Sequence, residues 1–392
     1  MGPSAEVTRR DFFKTSTVAG IAAAGVIRET LAAEAVIRSA PVIRVGLIGC
    51  GSVSGVYLPQ LAKSSYAKVV SVCDRIFERA EQRATEHGVA NKYRDIDSML
   101  AGAEFDLLIN TTDMQEHEAI NRKAVAAGKH IWSEKPIANT LEAGQQIVAD
   151  AKKKELRIWG APVVVLSPQF EFMAKTLASG KLGRIAAAHA HYGHEGPGWS
   201  AFFYQERGGS MPDLGVYNLT SLTGLLGPVR AVTAMTSIVT PTRNIDRVGE
   251  IKVTEEDNAM VLMDHGNGVI SHMQCGFNYF NPHGHGGAGE SRHTIEIVGS
   301  QGYMGLVGYD WEPLGVDVAT MDEPKLQRSA TDADGYVWQM GANVVCECLA
   351  TGKEPQFTAE HALHVVEIIT AARESQRTGR RVELKSTFKW PL

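Results

Sequence analysis

The sequence predicts an α/β chain in two parts: a doubly wound parallel sheet over residues 41–160, then an α+β domain over 161–392 built on an open, mostly antiparallel sheet. Three observations carry this. The apolar run 42–48 ends in a turn holding Gly49, Gly51 and Gly55 and leads into an amphipathic segment, the order strand, glycine turn, helix. Short apolar runs and charged helical patterns then alternate at a spacing that demands parallel pairing, with helices on both faces. After Gly180 the alternation turns to a period of two, the mark of strands with one buried face.

Taken in order, a second apolar strand, 68–73, ends at Asp74, and 75–88 is charged and helical in pattern. Residues 97–101 read as a short helix, 105–112 as the next buried strand, and 113–117 as the opening of another helix. A strand over 129–133 ends at Glu134-Lys135-Pro136; a helix over 141–154, a strand over 157–166 and a helix ending near Gly180 follow. Ligands of such sheets gather at the carboxyl ends of the strands, where 49–55, Asp74, 111–117 and 134–136 all fall. In the second part 184–192 alternates, 258–264 and 269–277 form a hairpin turning at 265–268, and 293–298 and 302–306 continue the strands. Thr358 caps a final helix with apolar positions Ala362, Leu363, Val366 and Ile369, and Gly379 ends it.

Composition narrows the function. A chain of 392 residues, 44% hydrophobic, can bury a large core. Its net charge of −5 offers no broad basic field, so nucleic acid is not an expected partner. The five cysteines are odd in number, and Cys346-x-Cys348 is one residue short of C-x-x-C, so buried or free thiols are expected rather than a zinc site. Arg9-Arg10, an apolar run over 18–27 and small residues near Ala35 resemble a twin-arginine export signal over 1–35, which implies a periplasmic or secreted protein. The competing reading is an amphipathic helix of the mature chain. No later stretch offers eighteen uninterrupted apolar residues, so no membrane partner is expected after signal cleavage.

The glycine turn suits a dinucleotide. Gly49 and Gly51, with Ser52 and Val53, let the backbone approach a pyrophosphate, and the helix N-terminus beyond attracts the anion. A full G-x-G-x-x-G would place glycine at position 54, where Ser54 stands and Gly55 follows. Asp74, roughly 25 positions on from Gly49, is where a ribose-binding carboxylate belongs; it repels a 2′-phosphate and so favours NAD, while Arg75 leaves NADP open. Glycine turns without a nucleotide are common, and the flanking strand, helix and Asp74 decide for the cofactor. Thr111, Thr112, His117, Glu134 and Lys135 share that edge and are assigned to cofactor contact.

Three segments carry a resemblance: Glu134-Lys135-Pro136, Gly208-Gly-Ser-Met-Pro-Asp213-Leu-Gly215-Val-Tyr217-Asn218, and Gly379-Arg-Arg-Val-Glu-Leu. With them, residues 42–386 resemble the glucose–fructose oxidoreductase, inositol dehydrogenase and rhizopine-catabolism (Gfo/Idh/MocA) superfamily. The resemblance implies a Rossmann domain, NAD(P)-dependent hydride transfer, a catalytic Lys135 and a homo-oligomer, dimer or tetramer. Pro136 fixes the backbone after that lysine and fits a cis peptide there. Asp213 and Tyr217, four apart, share a helix face. In the wider family the second position is usually a histidine that moves the proton; this chain departs from it. A phenol near a lysine ammonium can have its pKa lowered, which makes Tyr217 the expected acid/base, with packing on the second sheet as the competing role.

Histidines cluster as well. His189 and His191 lie two apart on a strand and so share a face, His194 follows, and His283 and His285 sit in the loop 278–293. A metal site needs three or four converging ligands, whereas a polyol site needs planar donors flanked by aromatics such as Trp199, Phe203, Tyr204 and Tyr279. Sugar binding is favoured and no metal is assigned: His189, His194, Trp199, Asn218, His283 and His285 are expected to hold substrate, and His191 to share proton transfer. For His283 and His285, scattered surface histidines are the competing reading.

The expected function is an exported oxidoreductase moving hydride to or from a ring carbon of a pyranose or glycoside. Free nicotinamide cofactor is scarce outside the cytoplasm, so tightly bound, recycled NAD is expected. Transient oxidation followed by elimination, water addition and re-reduction would instead give an NAD-dependent glycosidase. A non-catalytic sugar or nucleotide sensor on the same fold is the third reading.

Overall fold

The computed structural model describes residues 40–280 and 292–391. The first part runs β1 (Ile43–Ile48), α1 (Ser54–Ala62), β2 (Ala67–Cys73), α2 (Phe77–His87), β3 (Asn91–Tyr93), α3 (Ile96–Ala101), β4 (Leu107–Asn110), α4 (His117–Ala126), β5 (His130–Ser133), α5 (Leu141–Lys153) and β6 (Ile158–Gly160). Its six strands lie in the order β3-β2-β1-β4-β5-β6, every pair parallel. Val45 and Leu47 of β1 and all four residues of β4 are buried, as strands covered on both faces require. The strand order reverses between β1 and β4, which opens a crevice at their carboxyl ends.

Two elements differ from the sequence pattern. β3 is a short edge strand that three residues of mixed polarity do not announce. The strand expected over 157–166 stops at Gly160, because Pro162 brings no N–H to a ladder, and the chain turns into a 3₁₀ helix, Val164–Leu166.

The second part runs α6 (Pro168–Ala178), β7 (Ile185–Gly193), α7 (Val216–Leu226), β8 (Ala231–Ser237), a small hairpin of β9 (Thr242–Ile245) and β10 (Gly249–Lys252), then β11 (Asn258–Gly266), β12 (Val269–Gly276), β13 (His293–Gly299), β14 (Gly302–Tyr309), β15 (Glu312–Thr320), β16 (Gln327–Ser329), α8 (Gly341–Thr351), α9 (Ala359–Thr378) and β17 (Val382–Glu383). Nine strands form one sheet in the order β16-β15-β14-β13-β7-β12-β11-β8-β17; β7 and β12 run parallel and the other pairs antiparallel. The β11–β12 hairpin turns through Asn267 and Gly268, both at positive φ. One sheet face packs on α6, α7 and α9. The other shows Met235, Met260, Leu262 and Ile270, all exposed.

The C-terminal helices return to the first sheet. α8 lies against α1, β1, β2 and β5, and Asn343 Nδ2 donates to the Gln60 carbonyl at 3.0 Å. α9 is capped by Thr358, whose Oγ1 accepts from His361 N–H, and it ends at Gly379. Its Leu363 and Val366 join the core of Ile137, Leu141 and Ile147, and a Cβ at Gly144 would stand 2.1 Å from Leu363, so only glycine admits the helix that closely. Ser375 of α9 accepts from Ala234 N–H on β8, so one helix serves both sheets. Among the described residues all five cysteines are buried free thiols, no three His, Cys, Asp or Glu converge as a metal site, and no helix is long and apolar enough to cross a membrane.

Candidate active site

Gly49 leaves β1 at φ +95°, and a Cβ there would meet the Thr111 carbonyl oxygen at 2.4 Å, so only glycine lets the chain turn past β4. Gly51 faces open space, and no side chain caps α1 behind it. The displaced third glycine has a reason. Gly55 lies under Arg83, whose guanidinium donates to the Gly51 carbonyl and Ser54 Oγ, both at 3.1 Å, while Ser54 Oγ donates to the Gly51 carbonyl. Ser52 and Val53 sit in the braced turn, and Arg83 is a participant the glycine pattern does not reveal.

Asp74 is buried at the end of β2, where Oδ2 accepts from Cys50 N–H and Oδ1 from Ile76 N–H, both at 2.7 Å. Each carboxylate oxygen keeps a second lone pair for a ribose hydroxyl. Arg75 pairs with Asp113 at 2.7 Å. Thr111 Oγ1 contacts the Gly49 and Ile48 carbonyls, and Thr112 Oγ1 donates to Asn110. His117 sets its two ring nitrogens against the Pro136 and Thr112 carbonyls, and burial lowers its pKa; it braces two loops of the edge. Glu134 accepts from Tyr57 OH at 2.7 Å and from Lys135 N–H, and Tyr57 OH accepts from Trp132 Nε1.

Lys135 precedes a cis peptide to Pro136, and its ammonium donates to Asp213 Oδ1 at 2.6 Å and to the Asp213 carbonyl at 2.8 Å. Asp213 belongs to a π-helical turn, Met211–Gly215, that runs directly into α7. The same ammonium lies 5.2 Å from the centre of the Tyr217 ring. So Lys135, Asp213 and Tyr217, from opposite halves of the chain, meet at the crevice edge. One expectation is corrected here: the Tyr217 pKa is raised well above the usual phenol value, first by burial and then by the carboxylate charge of Glu134. The ammonium meets the ring face and is neutralised by Asp213, so it lends the phenol no net stabilising charge, and Tyr217 is protonated at neutral pH.

A model of an oxidoreductase family's NAD-binding Rossmann fold matches residues 43–161, and one of the GFO/IDH/MocA C-terminal domain matches 170–304. The chain belongs to the GFO/IDH/MocA oxidoreductase family. Its first part is therefore an NAD-binding domain, and the glycine turn and pinned Asp74 fit that cofactor. It is similar to a D-apiose dehydrogenase of Paraburkholderia graminis, 26% identical with 87% of this chain and 89% of the relative covered. It is also 26% identical to a 1,5-anhydro-D-fructose reductase of Ensifer adhaerens, over 80% and 98%. Among solved structures, levoglucosan dehydrogenase in complex with NADH and L-sorbose superposes with a TM-score of 0.77, at 20% identity over 88% of this chain and 100% of that one.

The second half of this family member brings fewer of the expected residues to the site. Strand β7 turns Ala188, Ala190 and Tyr192 inward, and His189 and His191 onto the open sheet face. His191 therefore stands on the side away from Lys135, and Tyr192 takes the place beside Tyr217, ring centres 6.1 Å apart. His189 faces His272 at 6.2 Å on that outer surface. His194 is inward and buried, 6.0 Å from Tyr192, and its Nδ1 accepts from Gly196 N–H. Trp199 is exposed and packs edge-on against Phe203. His283 and His285 lie outside the described residues.

Asn218 is buried and donates to Asp310 Oδ2 at 3.1 Å, as does Ser221 Oγ at 2.9 Å. Burial pushes the Asp310 carboxyl up to about 6. Asp310 sits in the β14–β15 turn between Tyr309 and Trp311, which stack at 5.6 Å and 5°, and Tyr309 lies 4.6 Å from Tyr192. Asn218 Oδ1, Asp310 Oδ1 and the Tyr336 hydroxyl are buried with no hydrogen-bond partner among the described residues. None of Tyr57, Tyr192, Asp310 and Tyr336 is singled out by sequence motif; Tyr309-Asp310-Trp311 was the one available signal, a carboxylate between two aromatics at a hairpin turn.

Proposed function

We propose that this chain is an NAD-dependent dehydrogenase or reductase of a pyranose or glycoside, moving hydride to or from a ring carbon. The observation that carries this is Lys135, an ammonium at the strand-end edge of an NAD-binding sheet, held by Asp213 from the other half. An ammonium has three N–H donors. Asp213 takes two, and the third serves a substrate oxygen lying against Tyr217. Bound NAD supplies the hydride acceptor.

The proton is handled by the chain itself. In the oxidising direction Lys135 passes one proton to Asp213 Oδ1 along the 2.6 Å contact, takes the hydroxyl proton in its place, and stays beside the carbonyl oxygen as the C–H bond breaks. The released proton ends on Asp213. Tyr217, protonated, donates to the same substrate oxygen and orients it. Asn218, Asp310 and Tyr336 hold remote hydroxyls, and the stacked Tyr309 and Trp311 offer a flat apolar wall to a sugar ring. The sugar substrates named for the relatives support this class, and Asp74 supports NAD over NADP.

The Arg9-Arg10 segment, which lies outside the described residues, supports twin-arginine export to the periplasm or beyond, and with it a tightly held cofactor. The exposed Met235, Met260, Leu262 and Ile270 support a homo-oligomer through the open sheet face. The test is to denature the purified protein, assay released nucleotide, and screen pyranosides against native protein while following nicotinamide absorbance. Stoichiometric NAD and a keto-sugar product are expected. No nucleotide and no absorbance change with any sugar would sink the reading, and aglycone release from a chromogenic glycoside without acceptor would replace it with the glycosidase.

A further inference from the structure

We propose that Gln115 is a positioning residue that clasps residues 199–207 of the second half over the adenosine end of the bound dinucleotide, and that this clasp sets how slowly the nucleotide leaves. The inference rests on the NAD-binding reading and adds to it a residue and a rate.

Gln115 lies in the loop between β4 and α4, and its Nε2 donates to two carbonyls of the other half, Phe202 at 2.9 Å and Glu206 at 3.0 Å. Both partners only accept, so the amide must present its NH₂ group, and its Oε1 is buried with no partner among the described residues. Between the two halves lies a cavity of about 530 Å³, lined on one side by Arg75, Asp113 and Gln115 and on the other by Phe202, Gln205 and Arg207. That volume suits part of a small-molecule site. Arg75 is the residue after Asp74, so the cavity continues outward from the carboxylate that receives the ribose. A base leaving the ribose position has to pass beneath the clasped segment.

The far end of the segment is fixed independently. Arg207 N–H donates to Glu255, the Gly208 carbonyl accepts from Arg373, and Arg373 pairs with buried Glu256 at 2.9 Å. Gly209 then leads within four residues to Asp213, the partner of Lys135. Anchored at 207–209, the segment depends on Gln115 alone for its amide bonds to the β4–α4 loop among the described residues. Losing them frees the near end and leaves the anchored end and Asp213 in place. Two neutral hydrogen bonds correspond to about a ten- to thirtyfold faster release.

The experiment loads full-length protein with NADH and measures its dissociation by fluorescence for wild type, Gln115→Glu and Gln115→Ala. The carboxylate of Gln115→Glu keeps the shape but cannot donate. Both variants are expected to release NADH at least tenfold faster, with kcat at saturating NAD within threefold and the melting midpoint of nucleotide-free protein within about two degrees. Equal release rates overturn the clasp, and sugar-dependent hydride transfer by the same samples would leave the dehydrogenase reading standing. Faster release from protein that turns over no sugar supports the clasp while removing that reading. Failure of wild type to bind NADH overturns both, and a fallen nucleotide-free midpoint with unchanged release makes Gln115 merely structural and overturns the clasp.

Discussion

At the edge of the parallel sheet Asp74, Thr111, His117 and Glu134 commit their polar atoms to backbone or tyrosine partners. Under the mixed sheet, Asn218, Asp310 and Tyr336 keep buried polar atoms that meet nothing among the described residues. A buried donor or acceptor left alone costs about 1–3 kcal/mol, a cost that a ligand hydroxyl removes when it binds. The first region is a finished cradle whose shape precedes its ligand. The second holds unspent hydrogen-bonding capacity, and that is where substrate choice resides.

The hardest way to break this contrast is at its seam. Lys135→Met removes the one ammonium that Asp213 holds between the two regions, while every bond around Asp74 and the glycine turn stays. Turnover is expected to fall by about two to four powers of ten with NADH affinity unchanged. Steady-state kinetics with a fluorescence titration of NADH would show it; a parallel fall in nucleotide affinity would mean that the seam and the cradle are one unit.

The same contrast explains what could be read from the residues alone. The cradle is local: β1, the glycine turn and α1 are contiguous, and Asp74 ends the next strand, so the order of apolar runs and glycines foretells it. Only Arg83, 32 positions from the Gly51 carbonyl it braces, escapes. The substrate side is not local. Asp310 meets Asn218 across 92 positions, and no periodicity in either segment encodes the meeting. His191 shows a second limit: the alternation of β7 says that His189 and His191 share a face but not which face is buried. A shift of one residue exchanges them with Tyr192.

Asp310 tests whether the unspent capacity is meant for a ligand. Asp310→Asn keeps an oxygen for Asn218 and Ser221 but turns a donor-only group toward the site. We expect KM for a turned-over sugar to rise about tenfold with kcat little changed. Stability supplies a control. A carboxyl raised to about 6 when folded binds its proton more tightly than the unfolded chain does. Wild type is therefore favoured at low pH and loses stability as pH climbs from about 4 to about 6, by roughly 3 kcal/mol in full. Asp310→Asn escapes that loss, so its melting midpoint should gain on wild type between pH 4.5 and 7.5. A midpoint gap that ignores pH would mean the carboxyl is not buried as described, and an unchanged KM would place it outside the sugar site.

Tyr217 is the finest probe, because it touches both regions: its ring faces the Lys135 ammonium and packs on Tyr192 from the second sheet. A phenol serving as base would titrate near neutrality and give the pH–rate profile a limb that vanishes in Tyr217→Phe. Burial and the Glu134 charge move it the other way, so the hydroxyl only donates. Tyr217→Phe should therefore lower kcat about five- to tenfold, the worth of one hydrogen bond to the reacting oxygen, and leave both limbs of the profile where they are in wild type. Loss of a limb in the phenylalanine variant would return the proton to Tyr217 and take it from the Lys135–Asp213 pair.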